Sequence, residues 1–214
     1  MAQKLDVPAS EAEAAFWQWV DEYVSQPHPE IGRDGPVCPF VPRLMESGNI
    51  HVRVDESVDG TDAAVVERRM RAALRDYEAM PNAQWKALVV VFPSIVGADV
   101  AVVDQVQGAL KRGCVRKGLM VGQFHPLSTE PGARNPAFPA NRAPFAAIAL
   151  RHMSHHDIVF LDHDPEMFGE FQARFGGEFS GGRDLDPFLV DRYTAAAARF
   201  GVRESPAGAS AHGD

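Results

Sequence analysis

Cysteine is scarce in this sequence: Cys38 and Cys114 are the only two among 214 residues. That count excludes a disulfide-scaffolded domain and suits a reducing compartment, with a single bridge between the two left open. Basic residues are in the minority, 21 Lys and Arg against 29 Asp and Glu, for a net charge of −8 and a pI near 5.5. Non-specific nucleic-acid binding needs a basic face, so that class is set aside. No apolar run approaches the roughly 18 residues that a transmembrane helix requires. The N-terminal stretch carries acids where a signal peptide has a basic segment followed by an apolar one. A cytoplasmic protein that binds neither nucleic acid nor membrane is therefore expected. The chain also lacks a Walker loop and the G-x-G-x-x-G, G-x-S-x-G and H-E-x-x-H patterns. Their absence removes the motif-bearing nucleotide, hydrolase and metalloprotease classes.

What is present is enough apolar material, 45% of the residues, to bury a sizeable core. One globular domain over residues 10–203 is expected, with a loose start at 1–9 and a disordered tail at 204–214. Ser10 and Glu13 read as a capping box for a helix over Glu11 to Ser25, ended by Pro27. Ile50 to Val54 alternates like a strand. A turn at Asp59-Gly60-Thr61 precedes a helix from Asp62 to Met80, whose apolar residues recur at helical spacing. Trp85 to Pro93 is a near-continuous β-branched run that suits a strand buried on both faces. A helix over Asp99 to Arg112, a strand from Leu119 that ends at His125 and a strand over Ala146 to Met153 follow. Asp157 to Leu161 extends that strand or forms another. Asp164-Pro165 and Asp186-Pro187 open helices ending at Phe175 and Phe200, separated by a glycine-rich turn. The order implies an α+β fold: a single antiparallel or mixed sheet, helices packed mainly on one face, with a ferredoxin-like arrangement as one form. A doubly wound sheet is the alternative.

Two segments break this regular pattern. His28 to Arg43 and Met120 to Phe145 combine Gly, Pro, Arg and aromatics with one Cys or one His. Ordered irregular segments on a scaffold are where sites usually sit. Cys38 stands near Pro36 and directly before Pro39, with Arg33 and Arg43 close enough in sequence to favour a thiolate. It is a candidate ligand or nucleophile, or a small buried hydrophobe, as Cys114 is read to be. His125, in Gly122-Gln123-Phe124-His125-Pro126, falls at a strand end, where a ligand or acid–base role and a structural one are both open. Arg33, Arg43, Arg134, Arg142 and Arg151 suit either an anion clamp or loop-ordering bonds. Phe40, Phe124, Phe138 and Phe145 wall a pocket or plug the core. His152, His155, His156 and His163 form a cluster that could bring imidazoles to a metal, or simply a polar turn.

The stretches GRDGPVCPF, MVGQFHP and NPAFPANRAPFAAIALRHM resemble a family of uncharacterised bacterial proteins associated with secondary-metabolite gene neighbourhoods. The likeness covers roughly residues 27–175. In order of parts, the chain is also similar to YqcI/YcgG-type proteins, which carry a Pro-Cys element and a later His-Pro element. Some of those bind haem and are linked to N-oxygenation of amino acids. This resemblance implies a haem-binding enzyme with Cys38 or His125 as axial ligand. Arg33, Arg142 or Arg151 would then hold the propionates or the carboxylate of a small-molecule substrate. A homodimer is open to such a protein. The rival expectations are a non-catalytic accessory protein and a metal-dependent enzyme built on His152–His163. The haem expectation predicts a Soret band in protein made with adequate haem. Its absence there, and after haem addition, removes that reading.

Overall fold

Every residue from Ala87 to Val91 is buried, and the sheet is built outward from this run. In the computed structural model, residues 9–58, 61–81, 85–181 and 183–201 are described. Of the expected loose start at 1–9, residues 1–8 lie outside them while Ala9 is the first residue of a helix; the turn residues Asp59 and Gly60 and the tail at 204–214 also lie outside them. The chain divides into two compact units, residues 1–111 with 119–152, and residues 112–118 with 153–214.

The first unit carries a four-stranded sheet of order β1-β2-β4-β3. Its strands are β1 (Ile50–Val54), β2 (Ala87–Val91), β3 (Leu119–Phe124) and β4 (Ala147–His152). β1 and β2 are parallel, while β4 pairs antiparallel with both β2 and β3. The expected α+β fold with one mixed sheet is thus present. β1 and β2 are adjacent, so their crossover is a direct βαβ unit, with no strand between them as in the ferredoxin-like split arrangement.

Helices α1 (Ala9–Trp19) and α3 (Ala63–Ala79) pack on opposite faces of the sheet, so the helices lie around it and not mainly on one face. Ala12 and Phe16 of α1, with Val20, form one cluster with Val89, Val91 and Ala147. Tyr77 of α3 instead faces His152, five positions along β4, at a ring separation of 5.7 Å. Residues an odd number apart on a strand point to opposite faces. Ser10 lies within α1 instead of capping it. After Trp19 the helix widens into a π-helical turn, Val20–Val24. A short helix that the sequence reading missed, α2 (Val41–Glu46), adds Val41 and Met45 to the α1 cluster.

The crossover helix α3 is tied at both ends. The Asp62 side chain accepts from the amides of Ala64 and Val65, a conventional N-cap. At the other end Lys86, 3% exposed, donates from Nζ to the carbonyl oxygens of Tyr77 and Met80, each at 2.7 Å. Tyr77 in turn donates from its hydroxyl to the Lys86 carbonyl at 3.1 Å. Burial pushes the Lys86 ammonium pKa down, and its bonds to the helix's last carbonyls compensate the lost water. α4 (Ala101–Arg116), entered through the 3-10 turn Gly97–Val100, begins the return to β3.

The second unit is helical, with α5 (Ile158–Leu161), α6 (Pro165–Ser180) and α7 (Pro187–Phe200). The expected strand at Asp157 to Leu161 is instead a 3-10 turn, His155–Asp157, leading into α5. Ser154 and Asp157 form a reciprocal capping box that starts this helical path. A short apolar run cannot be assigned to strand or helix by periodicity. The two Asp-Pro starts hold: Asp164 accepts from the amides of Glu166 and Met167, and Asp186 from that of Phe188. α6 continues past Phe175, taking Gly176 and Gly177 into the helix. Arg112 pairs with Asp164 and Glu166, and Arg116 with Glu166. Amide bonds and Arg112 hold the Asp164 carboxyl, and Arg116 with Arg112 the Glu166 carboxyl, below the usual range.

Lys86→Met is expected to destabilise the fold by about 1–3 kcal/mol, because two helix-end carbonyls lose a buried charged donor. Urea unfolding of the purified protein measures this, and an unchanged midpoint would contradict the clamp.

Candidate functional site

β3 ends at Phe124, and the next residue is held by backbone bonds on both sides. The His125 amide donates to the Asn141 carbonyl at 3.4 Å, and its carbonyl accepts from Ser128 at 3.2 Å and Ala143 at 3.4 Å. Strand alternation then separates two neighbours. Phe124 joins the α1 cluster, with its ring 5.3 Å from that of Trp19. His125 turns to α4, where Nε2 lies 3.0 and 3.1 Å from the two carboxylate oxygens of Asp104. The imidazole is 3% exposed and the Asp104 side chain 46%. Nδ1 of His125 is buried and has no hydrogen-bond partner among the described residues. Leaving such an atom unsatisfied costs about 1–3 kcal/mol, and native structures seldom do so without a reason. Chemically, the arrangement is a fixed imidazole with one nitrogen committed and the other open for a proton, a hydrogen-bond donor or a metal.

The two irregular segments come together through His28, Glu30, Gly32, Arg134, Asn135 and Phe138. The rings of His28 and Phe138 lie 4.7 Å apart. Asn135 donates from its amide to the Glu30 carbonyl at 2.8 Å. Gly32 has φ 75°, and a Cβ there would lie 3.0 Å from Cβ of Arg134. That contact and the left-handed backbone together account for glycine at this position. Cys38 sits earlier on the α1 side: its amide donates to the Val24 carbonyl at 3.0 Å, and Val41, just beyond it, packs in the α1 cluster. Cys38 is half-buried and Cys114 buried, both as free thiols. Cys38 and His125 share no partner among the described contacts.

Of the arginines singled out in the sequence, Arg33, Arg43, Arg142 and Arg151 are engaged with carbonyls or rings. Arg33 donates to the carbonyls of Asp34, Pro36 and Val37 at 2.9, 2.7 and 3.0 Å. Arg142 donates from Nε to the Ser128 carbonyl at 3.3 Å, and its own carbonyl accepts from the Trp19 indole at 3.1 Å. Arg151 lies over the Phe40 ring at 4.6 Å and donates to the His152 carbonyl at 3.0 Å. Arg43 lies over the Trp85 ring at 4.2 Å. These contacts match the loop-ordering reading of the arginines. Phe138 is buried, and Phe145 packs 5.5 Å from Trp19, as core plugs do.

A haem held between His125 and these arginines does not fit this arrangement. Nε2, the ring nitrogen that reaches farther from the backbone, is bonded to Asp104. Nδ1, beside the side chain's own Cβ, is the crowded position for a macrocycle. Arg33, Arg142 and Arg151 already bond carbonyl oxygens.

The other histidines fall into separate settings. His152 lies against Tyr77, and burial with the nearby Lys86 charge pushes its pKa down. In the second unit the rings of His155 and His156 lie 4.1 Å apart, tilted by 32°, and Nδ1 of His155 lies 3.3 Å from Glu178. Burial lowers the His155 pKa. His163 is exposed, 3.9 Å from an oxygen of Asp162. Among the described residues no group of three or more His, Cys, Asp or Glu is placed to hold a metal ion.

Two features were missed from the sequence. Asp104 stands among the buried Val102, Val103 and Val106 of α4, and nothing in its local spacing ties it to a histidine 21 residues away. The π-helical turn places Tyr23 among His28, Phe138 and Arg142. Burial raises the Tyr23 pKa, against a smaller opposing pull from Arg142. π-helical turns often accompany functional sites.

Arg33→Ala is expected to speed amide exchange at Val37 and Cys38 by roughly tenfold, about 1.4 kcal/mol of local order. Unchanged exchange at both amides would show that the guanidinium does not hold the loop.

No helix among the described residues is long and apolar enough to cross a membrane. No curated protein and no solved structure shows significant similarity to this chain. Residues 13–185 match a family described as domain of unknown function DUF6875. That span includes both irregular segments, β1 to β4, and the His125–Asp104 pair, and the chain belongs to this family.

Proposed function

We propose that this protein is an enzyme of small-molecule metabolism in which His125 exchanges a proton with its substrate through Nδ1. The observation that carries this reading is the buried, unpartnered Nδ1 on a ring whose other nitrogen is bonded to a carboxylate. A histidine kept only for packing would bond both nitrogens or give way to an apolar residue, because the open nitrogen costs stability. A base that meets its proton only when substrate is bound leaves that nitrogen open. Backbone bonds from Ser128, Asn141 and Ala143 of the irregular connection hold the His125 backbone and so set where the ring starts. The substrate is a small molecule with a dissociable proton on nitrogen, oxygen or activated carbon. A carboxylate-bearing metabolite of the kind the sequence resemblance implies satisfies that requirement.

The haem-dependent oxygenation implied by the same resemblance is a separate proposal, and Cys38 is the donor it would use. Two measurements test these readings together. In a host strain lacking the gene, His125→Gln is expected to leave the metabolite profile of the deletion, although the variant folds with a Tm close to the parent. Restoration of the wild-type profile by His125→Gln would overturn the proton-exchange reading. A Soret band that is lost in Cys38→Ser and kept in His125→Gln would favour haem on the thiolate.

A further inference from the structure

We propose that Asp104 is a positioning residue that locks His125 in the tautomer bearing its proton on Nε2, which keeps Nδ1 free to accept. The inference rests on the proton-exchange reading of His125 and names the group that makes it work. An ionised carboxylate has no proton to give, so any hydrogen bond it makes to an imidazole places the proton on the ring nitrogen. Here both oxygens of Asp104 approach the same nitrogen, at 3.0 and 3.1 Å. The Nε2–H therefore points between the two oxygens, and the contact fixes the ring plane as well as the tautomer.

Two features hold the Asp104 carboxylate in place as the acceptor. Its side chain is 46% exposed while the imidazole is 3% exposed, so the carboxylate keeps contact with water and the ring stays dry. Val102, Val103 and Val106 are buried around it, so the helix backbone at this point has little freedom to shift. Without Asp104 the two neutral tautomers would differ little in energy. A ring with its proton on Nδ1 presents a donor to the substrate and cannot accept. A positioning carboxylate thus acts through the histidine without touching substrate.

The test reads the ring itself and needs no substrate. Nitrogen chemical shifts of the His125 imidazole are recorded by NMR at neutral pH in the wild type, Asp104→Asn and Asp104→Glu. The expected wild-type signal is a protonated Nε2 and a bare Nδ1. Asparagine presents an amide donor as well as an acceptor, so Asp104→Asn is expected to shift the tautomer ratio by about tenfold or more toward Nδ1–H. Asp104→Glu restores an acceptor on a longer arm and is expected to recover most of the wild-type ratio. If the wild type carries its proton on Nδ1, the proton-exchange reading itself falls. If the wild-type Nδ1 is bare but the ratio is unchanged in Asp104→Asn, only the role of Asp104 falls.

Discussion

The strand Ala87–Val91 has no face left for water, and that constraint organises the first unit. A strand buried on both sides needs cover on both sides. α1 with its π-helical extension supplies one cover, and α3 lies on the other face. Because neighbouring strand residues point in opposite directions, the end of β3 also splits. Phe124 is drawn into the α1 aromatics while His125 is turned to α4. The position of the imidazole is thus a consequence of how the sheet is covered.

The irregular segments are tied down by bonds that proline and glycine alone do not supply. Arg33 gathers three carbonyls of its own loop, and Arg142 and the Trp19 indole bond across the second connection. Such charge-assisted bonds satisfy backbone oxygens that lack helix or sheet partners. Arginine in these loops reads as structural glue for Pro-rich backbone. The same bonds leave fewer donors for an anionic ligand, and they move the chemical interest from the arginines to the imidazole at the strand end.

The regular elements were legible because their signals are local. Apolar residues at helical spacing marked α3 and α4, an unbroken β-branched run marked β2, and Asp-Pro pairs marked the starts of α6 and α7. Asp157 to Leu161 misled because a five-residue apolar run has no period long enough to separate strand from helix. The capping box of Ser154 and Asp157 decides it. Short α2 escaped notice because Val41 and Pro42 carry too little pattern to declare a helix. His125 was visible as a histidine at a strand end, whereas Asp104 was not visible as its partner.

From residue order alone came the fold class, the two irregular segments and the singling out of Cys38 and His125 within them. These depend on propensities and periods that act within a few residues. Tertiary structure decided that the segments meet through His28, Gly32, Asn135 and Phe138, and that His125 pairs with Asp104. Contacts between distant residues depend on which face of the sheet each helix covers. That choice is made by the burial of the whole core, and no short stretch of sequence records it.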